Sequence, residues 1–309
     1  MKHVLITGGG GFLGRKLAHR LAEDPSVEKL TLFDQAPITD APAKAECVSG
    51  DLTAPGMIER IATANVDTVV HLAAVVSSGA EADFDLGWRV NVTALTALLE
   101  KLRANGNRPK VLFTSSVAAF GETPPIVTDD IATRPQSSYG AQKAVGEYLI
   151  QDYARKGFID GRAMRLPTVV IRPGKPNLAA SSFASGILRE PLNGERSVCP
   201  VGKDLALWIA SPRAVTNAFV HALNLPEEAW SPWRTINLGG ITVTVEDMVT
   251  ALARAGGDTD LIDWTPDRGI QAIVETWPAR FNAARSDAMG FGRDEGIDAI
   301  IDAYKMDDM

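Results

Sequence analysis

Short apolar runs alternate with longer amphipathic stretches along the first part of the chain. The apolar runs predict buried β-strands at residues 4–7, 30–33, 46–49, 68–72, 110–114 and 168–171. Apolar side chains at three- and four-residue spacing predict helices at residues 11–21, 54–63, 88–103 and 138–155. Continuous apolar strands that alternate with helices are typical of a parallel sheet covered on both faces. We therefore predict an α/β fold with a doubly wound parallel sheet.

The pattern changes after Arg172. Residues 173–210 contain several prolines and show no clear period, and they are followed by a predicted helix at 212–223 and a strand at 235–238. From residue 245 the chain is helical but irregular, and it ends in an acidic tail. We predict a nucleotide-binding domain at residues 1–172, with a return segment at about 212–240. Residues 173–211 and 241–309 then form a smaller C-terminal substrate-binding cap.

Composition and charge restrict the possible partners. The chain has 309 residues, 45% of them hydrophobic, and a formal net charge of −7. This acidic balance argues against binding to nucleic acid or to an anionic membrane surface. No stretch approaches the roughly 18 consecutive apolar residues of a membrane span, and the N-terminus leads directly into a predicted strand. We expect a cytoplasmic protein with reduced cysteines and, because its histidines and cysteines are scattered, no metal site.

A glycine-rich loop lies between the first predicted strand and the first helix, where residues 7–14 read Thr-Gly-Gly-Gly-Gly-Phe-Leu-Gly. Gly8 permits a tight turn, Gly11 lets the backbone approach a pyrophosphate, and Gly14 allows close packing of helix on strand. The free N–H groups of the helix N-terminus would face the phosphates. An ordinary glycine-rich turn is the alternative. The loop predicts a Rossmann dinucleotide site that includes Gly8, Gly11, Phe12, Leu13 and Gly14.

Acidic and small residues follow the next strands. Asp34 ends the second strand 20 residues after Gly14, where a carboxylate accepts hydrogen bonds from the adenosine ribose and repels a 2′-phosphate. NAD is therefore the predicted cofactor. Asp51 and Leu52 follow the third strand and can meet the adenine, although Asp51 could instead cap the next helix. Ala73 lets the backbone approach the cofactor, and the neighbouring His71 is expected to be a packed residue.

Ser116, Tyr139 and Lys143 form a candidate catalytic set. Ser116 follows the fifth strand, at the sheet edge where doubly wound folds bind ligands. Tyr139 and Lys143 are four residues apart at the start of a predicted helix, so their side chains share one face. The ammonium group favours the phenolate, which can take a proton from a substrate hydroxyl, and Ser116 can hydrogen-bond the same oxygen. A surface Tyr–Lys pair is the alternative.

These motifs, in this order, resemble the extended short-chain dehydrogenase/reductase family, the NAD-dependent epimerases and dehydratases. The resemblance implies that Ser116, Tyr139 and Lys143 are catalytic and that Asn91 is a structural and proton-relay residue. It places Pro167 beside the nicotinamide, where Leu-Pro-Thr replaces the Tyr-Phe-Asn usual in the epimerases. It also implies a homodimer through the helices at 88–103 and 138–155. Apolar side chains available for that interface are Val92, Leu95, Leu98, Leu99, Ala144, Tyr148 and Leu149.

The segments 165–177, 179–186 and 189–192 are similar to a group within this family that uses NAD to oxidise the C2 hydroxyl of D-erythronate. The resemblance thus implies a small sugar acid as substrate. Such an acid needs a cation for its carboxylate and hydroxyl groups nearby, and the candidates are Ser77, Arg172, Ser182 and Arg213. A nucleoside-diphosphate-sugar epimerase or dehydratase remains an alternative. So does an NAD-sensing regulatory protein without turnover, although the Tyr139–Lys143 pair argues against it.

Overall fold

The computed structural model describes residues 1–174 and 179–309. Its strands are β1 (His3–Thr7), β2 (Lys29–Asp34), β3 (Ala45–Ser49), β4 (Thr68–His71), β5 (Lys110–Ser116), β6 (Asp160–Leu166), β7 (Thr168–Val169), β8 (Ser197–Cys199), β9 (Ala206–Ala210), β10 (Thr235–Asn237), β11 (Ile241–Thr244) and β12 (Ile262–Trp264). Its α-helices are α1 (Phe12–Ala22), α2 (Met57–Ile61), α3 (Ser77–Ala82), α4 (Phe84–Trp88), α5 (Ala94–Asn105), α6 (Ser138–Arg155), α7 (Ser182–Leu192), α8 (Pro212–Asn224), α9 (Val245–Arg254), α10 (Arg268–Val274), α11 (Ala284–Ala288) and α12 (Ile297–Asp307). None of the helices in these two ranges is long and apolar enough to span a membrane.

The central sheet has the strand order β10-β6-β5-β4-β1-β2-β3, and every neighbouring pair is parallel. The chain runs outward from β1 to β3 and then returns to β4 on the other side of β1. The loops that leave β1 and β4 therefore diverge at their carboxyl ends, and a crevice opens between them. This topology confirms the predicted α/β fold with a doubly wound parallel sheet.

Helices cover both faces of the central sheet. One face packs against α1 and α8, with Leu17 and Phe219 among the buried side chains. The other packs against α2, α5 and α6, with Leu98 and Ile150 buried. A third apolar cluster joins α7, α9 and α12 to the small sheet of β11, β9 and β7. Two elements from late in the chain belong to this part of the fold. Helix α8 packs on one face of the central sheet, and β10 extends the sheet by pairing with β6.

The prediction for the sixth strand was wrong. Residues 160–166 form β6 beside β5, whereas the apolar run at 168–171 contributes only the short β7 to the second sheet. Arg162 and Arg165 interrupt the apolar pattern of β6, yet both are at most 4% exposed. Ion pairs with Asp160 and Glu147 balance their charges. A strand with two buried, paired arginines does not have the apolar signature of an inner strand.

The long helix predicted at residues 88–103 is divided. It comprises α4, a π-helical turn at Arg89–Thr93 and α5, and it ends at Gly106, whose φ is 72°. The helix predicted at 54–63 is also shorter, because Gly56 at φ 80° precedes the first residue of α2. The predicted acidic tail folds as α12, which buries Ile300 and Tyr304.

The apolar side chains considered for a dimer interface lie mainly inside the protomer. Five of them are at most 7% exposed: Val92, Leu95, Leu98, Leu99 and Ala144. Of the others, Leu149 is half-buried and Tyr148 is 57% exposed. Most of these positions therefore cover the central sheet, and Tyr148 is the member of the set that faces outward.

Candidate active site

Two cavities meet at the glycine loop. The tyrosine cavity, with a volume of about 340 Å³, is lined by Ser116, Tyr139, Lys143 and Arg172. The aspartate cavity, with a volume of about 330 Å³, is lined by Asp34, Asp51, Leu52 and Ala73. Both cavities are also lined by Gly8, Gly11, Leu72 and Ala74. An extended ligand can therefore pass over the loop and reach both groups of side chains.

The glycine loop is shaped for close approach. Gly8 has a φ of 74°, in the left-handed region that favours glycine. A Cβ atom on Gly14 would lie 2.2 Å from the carbonyl oxygen of Gly8, so no larger residue fits there. Gly11 is the N-cap of α1, whose first N–H groups therefore open toward the loop, and Phe12, Leu13 and Gly14 follow it along the tyrosine cavity. Such a helix start stabilises a bound pyrophosphate.

Asp34 stands at the end of β2, and its Oδ2 accepts a hydrogen bond of 2.9 Å from the N–H of Gly10. This bond fixes a carboxylate at the aspartate cavity, where the ribose of a dinucleotide that follows the loop would lie. Asp51 accepts 2.8 Å hydrogen bonds from the N–H and the hydroxyl of Thr53, and these lower the pKa of its carboxyl. The Asp51 carboxylate closes this turn ahead of α2 and also lines the cavity. The residues present therefore fit NAD.

Ser116 and Tyr139 are brought together by the start of α6. Ser137 caps this helix by accepting a hydrogen bond of 3.2 Å from the N–H of Gly140. A Cβ atom on Gly140 would lie 2.0 Å from a carbonyl oxygen of the segment after β5, so the glycine permits the close approach. The side chains of Ser116 and Tyr139 line the same cavity, and Ser116 acts to lower the pKa of the Tyr139 phenol. Burial raises the pKa of Tyr139 to about 12, while Ser116 and the charge of Arg172 oppose this shift.

Lys143 is 3% exposed and supplies a positive charge beside the phenol. Its Nζ donates a hydrogen bond of 2.8 Å to the carbonyl of Thr114 and lies 5.6 Å from the centre of the Tyr139 ring. Burial lowers the pKa of Lys143 to about 8, and Glu147 opposes the shift. His71 is packed, as expected. Burial lowers its pKa to about 3, so it is neutral near pH 7.

Asn91 lies in the π-helical turn and is 4% exposed. Its side chain accepts a hydrogen bond of 2.8 Å from the N–H of Val75 and donates one of 2.9 Å to the carbonyl of the same residue. It also donates a 2.6 Å bond to Gln142 of α6. Asn91 thereby ties α6 to the segment after β4 that lines both cavities. Its role as a proton relay stays a prediction.

Arg172 is a cation of the tyrosine cavity for which the described residues supply no acidic partner. Its guanidinium group makes no ion pair with any residue in the described part of the chain, and its charge acts on Tyr139. Burial, with a smaller contribution from Arg189, lowers the pKa of Arg172. Ser77 and Ser182 line the same cavity, and Ser77 accepts a hydrogen bond of 2.9 Å from the N–H of Ala180.

The structure places Arg213 elsewhere. It lies in the first turn of α8, and its side chain is 42% exposed. Its Nε and Nη2 donate hydrogen bonds of 2.9 and 2.6 Å to the carboxylate of Asp307 on α12. Arg213 does not line the tyrosine cavity, and we remove it from the substrate set. Pro167 lines that cavity, and its place beside the nicotinamide stays a prediction. Residues 175–177, part of the segment that carries the substrate resemblance, lie outside the described residues.

Arg189 and Trp277 line the tyrosine cavity although we did not predict them as site residues. Arg189 lies seven residues after Ser182 on α7, so the two share a helical face. It donates hydrogen bonds to the carbonyl of Arg172 and to Glu190. A helix prediction for residues 182–192 would have revealed it. Trp277 follows α10 in an irregular region, where no periodic signal marks it.

Residues 4–239 match the NAD dependent epimerase/dehydratase family, over a span that contains the glycine loop and the Tyr139–Lys143 pair. The chain belongs to this family. A D-erythronate dehydrogenase of Cupriavidus necator is 49% identical over 99% of this chain and 98% of that protein. A D-erythronate dehydrogenase of Haemophilus influenzae is 44% identical over 99% of both chains.

Solved structures of the epimerase/dehydratase family agree with this assignment. The crystal structure of a nucleoside-diphosphate-sugar epimerase from Agrobacterium tumefaciens superposes with a TM-score of 0.93 at 40% identity, covering 99% of this chain and 94% of that one. A GalE-like L-threonine dehydrogenase from Cupriavidus necator, in its holo form, has a TM-score of 0.87 at 26% identity over 97% and 98%. The predictions of an NAD-dependent oxidoreductase acting on CH–OH groups, and of NAD as its cofactor, are confirmed.

Proposed function

We propose that this protein oxidises the C2 hydroxyl of D-erythronate to 2-dehydro-D-erythronate with NAD. The observation that carries the proposal is Arg172, a half-buried cation without an acidic partner among the described residues, in the cavity that also holds Tyr139. A buried charge is stabilised by an opposite charge, and a substrate carboxylate supplies one. The near full-length identity with proteins named D-erythronate dehydrogenase supports the same substrate.

The residues of the tyrosine cavity account for the chemistry. Oxidation at C2 removes the hydroxyl proton and a hydride from the carbon. When bound, NAD supplies the hydride acceptor. Tyr139, as phenolate, takes the hydroxyl proton, and the Lys143 charge favours that phenolate. Ser116 donates a hydrogen bond to the substrate oxygen as it becomes a carbonyl oxygen, while Arg172 holds the carboxylate next to C2.

The same proposal assigns the remaining contacts. Gly8, Gly11, Phe12, Leu13 and Gly14 would hold the pyrophosphate, and Pro167 would lie beside the nicotinamide. Asp34, Asp51, Leu52 and Ala73 would hold the adenosine. Ser77 and Ser182 are proposed to meet the hydroxyl groups of the acid. In this scheme residues 173–211 and 241–309 form the substrate-binding cap, and residues 1–172 with 212–240 bind NAD.

We also propose a homodimer in the cytoplasm. Exposed aromatic side chains lie on two helices near the interface that the family resemblance implies. Phe84 and Trp88 are on α4, which leads into the segment predicted as a helix at 88–103, and Tyr148 is on the outer face of α6. Phe84 stacks on Trp88 with ring centres 5.8 Å apart. Burial of such rings against a second copy would stabilise association. Light scattering at micromolar concentration is expected to give twice the protomer mass, and a monomeric mass would contradict the dimer.

The test of the proposed function is a substrate comparison. Purified protein is given NAD with D-erythronate, erythritol, L-threonine or UDP-glucose, and NADH is followed by its absorbance; epimerised UDP-sugar is measured separately. D-Erythronate should be oxidised, and erythritol should react at least about a hundredfold less efficiently because it lacks the carboxylate. Turnover of UDP-glucose or L-threonine without turnover of D-erythronate would overturn the proposal.

A further inference from the structure

Glu147 lies one helical turn beyond Lys143 on α6 and is 3% exposed. Tyr139, Lys143 and Glu147 follow one another at intervals of four residues, so their side chains lie along one face of the helix. The carboxylate of Glu147 accepts hydrogen bonds of 2.9 and 2.7 Å from the guanidinium group of Arg165 on β6. It also accepts a hydrogen bond from the hydroxyl of Ser115 on β5. Ser115 directly precedes Ser116 of the proposed catalytic set.

The charges in this buried row alternate in sign from Lys143 through Glu147 to Arg165. Within the described ranges, Glu147 is the ionised group that acts on Lys143. On the neighbouring β4, His71 faces Lys143 but is neutral near pH 7. Glu81 of α3 accepts a hydrogen bond from the Ser138 N–H, at the first turn of α6. Among the described residues, Glu147 thus supplies the negative charge that opposes the effect of burial on the pKa of Lys143.

We propose that Glu147 is a positioning residue of the catalytic centre, which places a negative charge on the face of α6 that carries Lys143 and holds the end of β5 that carries Ser116. Arg165 moderates this effect, because its ion pair with Glu147 neutralises part of the carboxylate charge. The inference rests on the proposed function in taking Tyr139 and Lys143 as the reacting pair. A buried ion pair can also act only as a brace between helix and strand, and the two roles differ in what happens to the titration of Lys143.

The experiment is a titration of Lys143 by NMR in protein labelled with ¹³C-lysine, with its signal assigned by its loss in Lys143→Met. In the native protein the midpoint is expected near pH 8. Glu147→Gln should move the midpoint down by about one pH unit, because it removes a nearby negative charge of which Arg165 cancels part. Arg165→Gln should move it up, because the Glu147 charge is then less compensated. The alkaline limb of kcat for the oxidation of D-erythronate should move in the same directions.

Ser115→Ala is the matched control, since it removes a hydrogen bond from the same carboxylate without changing a charge. It should lower kcat severalfold and leave the Lys143 midpoint in place. An unchanged midpoint in Glu147→Gln, or shifts of the same sign in Glu147→Gln and Arg165→Gln, would overturn the proposal. If Glu147→Gln does not fold, Arg165→Gln decides alone, and a midpoint that does not rise refutes it. The titration needs no substrate, so absence of D-erythronate turnover defeats the proposed function without deciding this one.

Discussion

Replacement of Arg172 by alanine tests the origin of substrate selectivity. The guanidinium group would face the substrate carboxylate inside the tyrosine cavity, with no competing acid among the described residues. Loss of one partner of a buried charge pair costs about 3 kcal/mol. Since each 1.36 kcal/mol corresponds to a factor of ten, we expect kcat/KM for D-erythronate to fall roughly a hundredfold. Most of this loss should appear in KM, because the carboxylate is held before and during the reaction.

The assay is the initial rate of NADH formation against D-erythronate and, at high concentration, against erythritol. Arg172→Ala should reduce the preference for the acid over the polyol, because the variant no longer recognises the group that distinguishes them. Arg213→Ala is the control: it removes an arginine that pairs with Asp307 outside the cavity, and its KM should match the native value. A native KM in Arg172→Ala, or an equal loss in both variants, would refute the carboxylate anchor.

Other substitutions test the remaining parts of the site. Tyr139→Phe should lower kcat by at least about a hundredfold with NAD binding retained, while Tyr148→Phe on the outer face of α6 should not; near-native turnover in Tyr139→Phe would exclude it as the base. Asp34→Ala should raise KM for NAD about tenfold and should lower the ratio of kcat/KM with NAD to kcat/KM with NADP. If this ratio did not change, Asp34 would not determine the choice between the two cofactors. Burial lowers the pKa of His71 from 6.5 to about 3, so between these values the unfolded chain binds a proton that the folded chain does not. The free energy of unfolding should therefore decrease as pH falls, by up to about 1.4 kcal/mol per unit from this group; urea unfolding of His71→Gln should show a weaker pH dependence, and parallel curves would contradict this.

Local signals were enough to predict that the residues proposed to bind the nucleotide lie close together. The turn at Gly8, the helix start at Gly11 and the acid at Asp34 lie on consecutive elements, β1, α1 and β2. In a doubly wound sheet such neighbours meet at the same edge, so their chain order fixes their proximity. The Tyr139–Lys143 pair was similarly visible, because both residues lie on one helix and their spacing alone places them on one face.

The substrate half depended on contacts between distant parts of the chain. Arg172 and Arg213 were equivalent candidates in the sequence. Only the fold shows that Arg213 forms an ion pair with Asp307, which lies 94 residues later in the chain. Likewise β6 was hidden by Arg162 and Arg165, which are compatible with an inner strand only because Asp160 and Glu147 neutralise them. The strands β8, β9, β11 and β12 were missed because they are short and their period is obscured by turns.

The π-helical turn at Arg89–Thr93 has a consequence for protein engineering. A π turn contains one residue more than the α-helical turn it replaces, so it acts as an insertion that rotates everything before it relative to α5. Shortening the chain by one residue there would let a single continuous helix form from α4 to α5. It would also turn the side chain of Asn91 away from Val75 and Gln142, which it now binds. A deletion chosen to regularise and stabilise this helix would therefore remove the hydrogen bonds that hold the segment after β4, which lines both cavities.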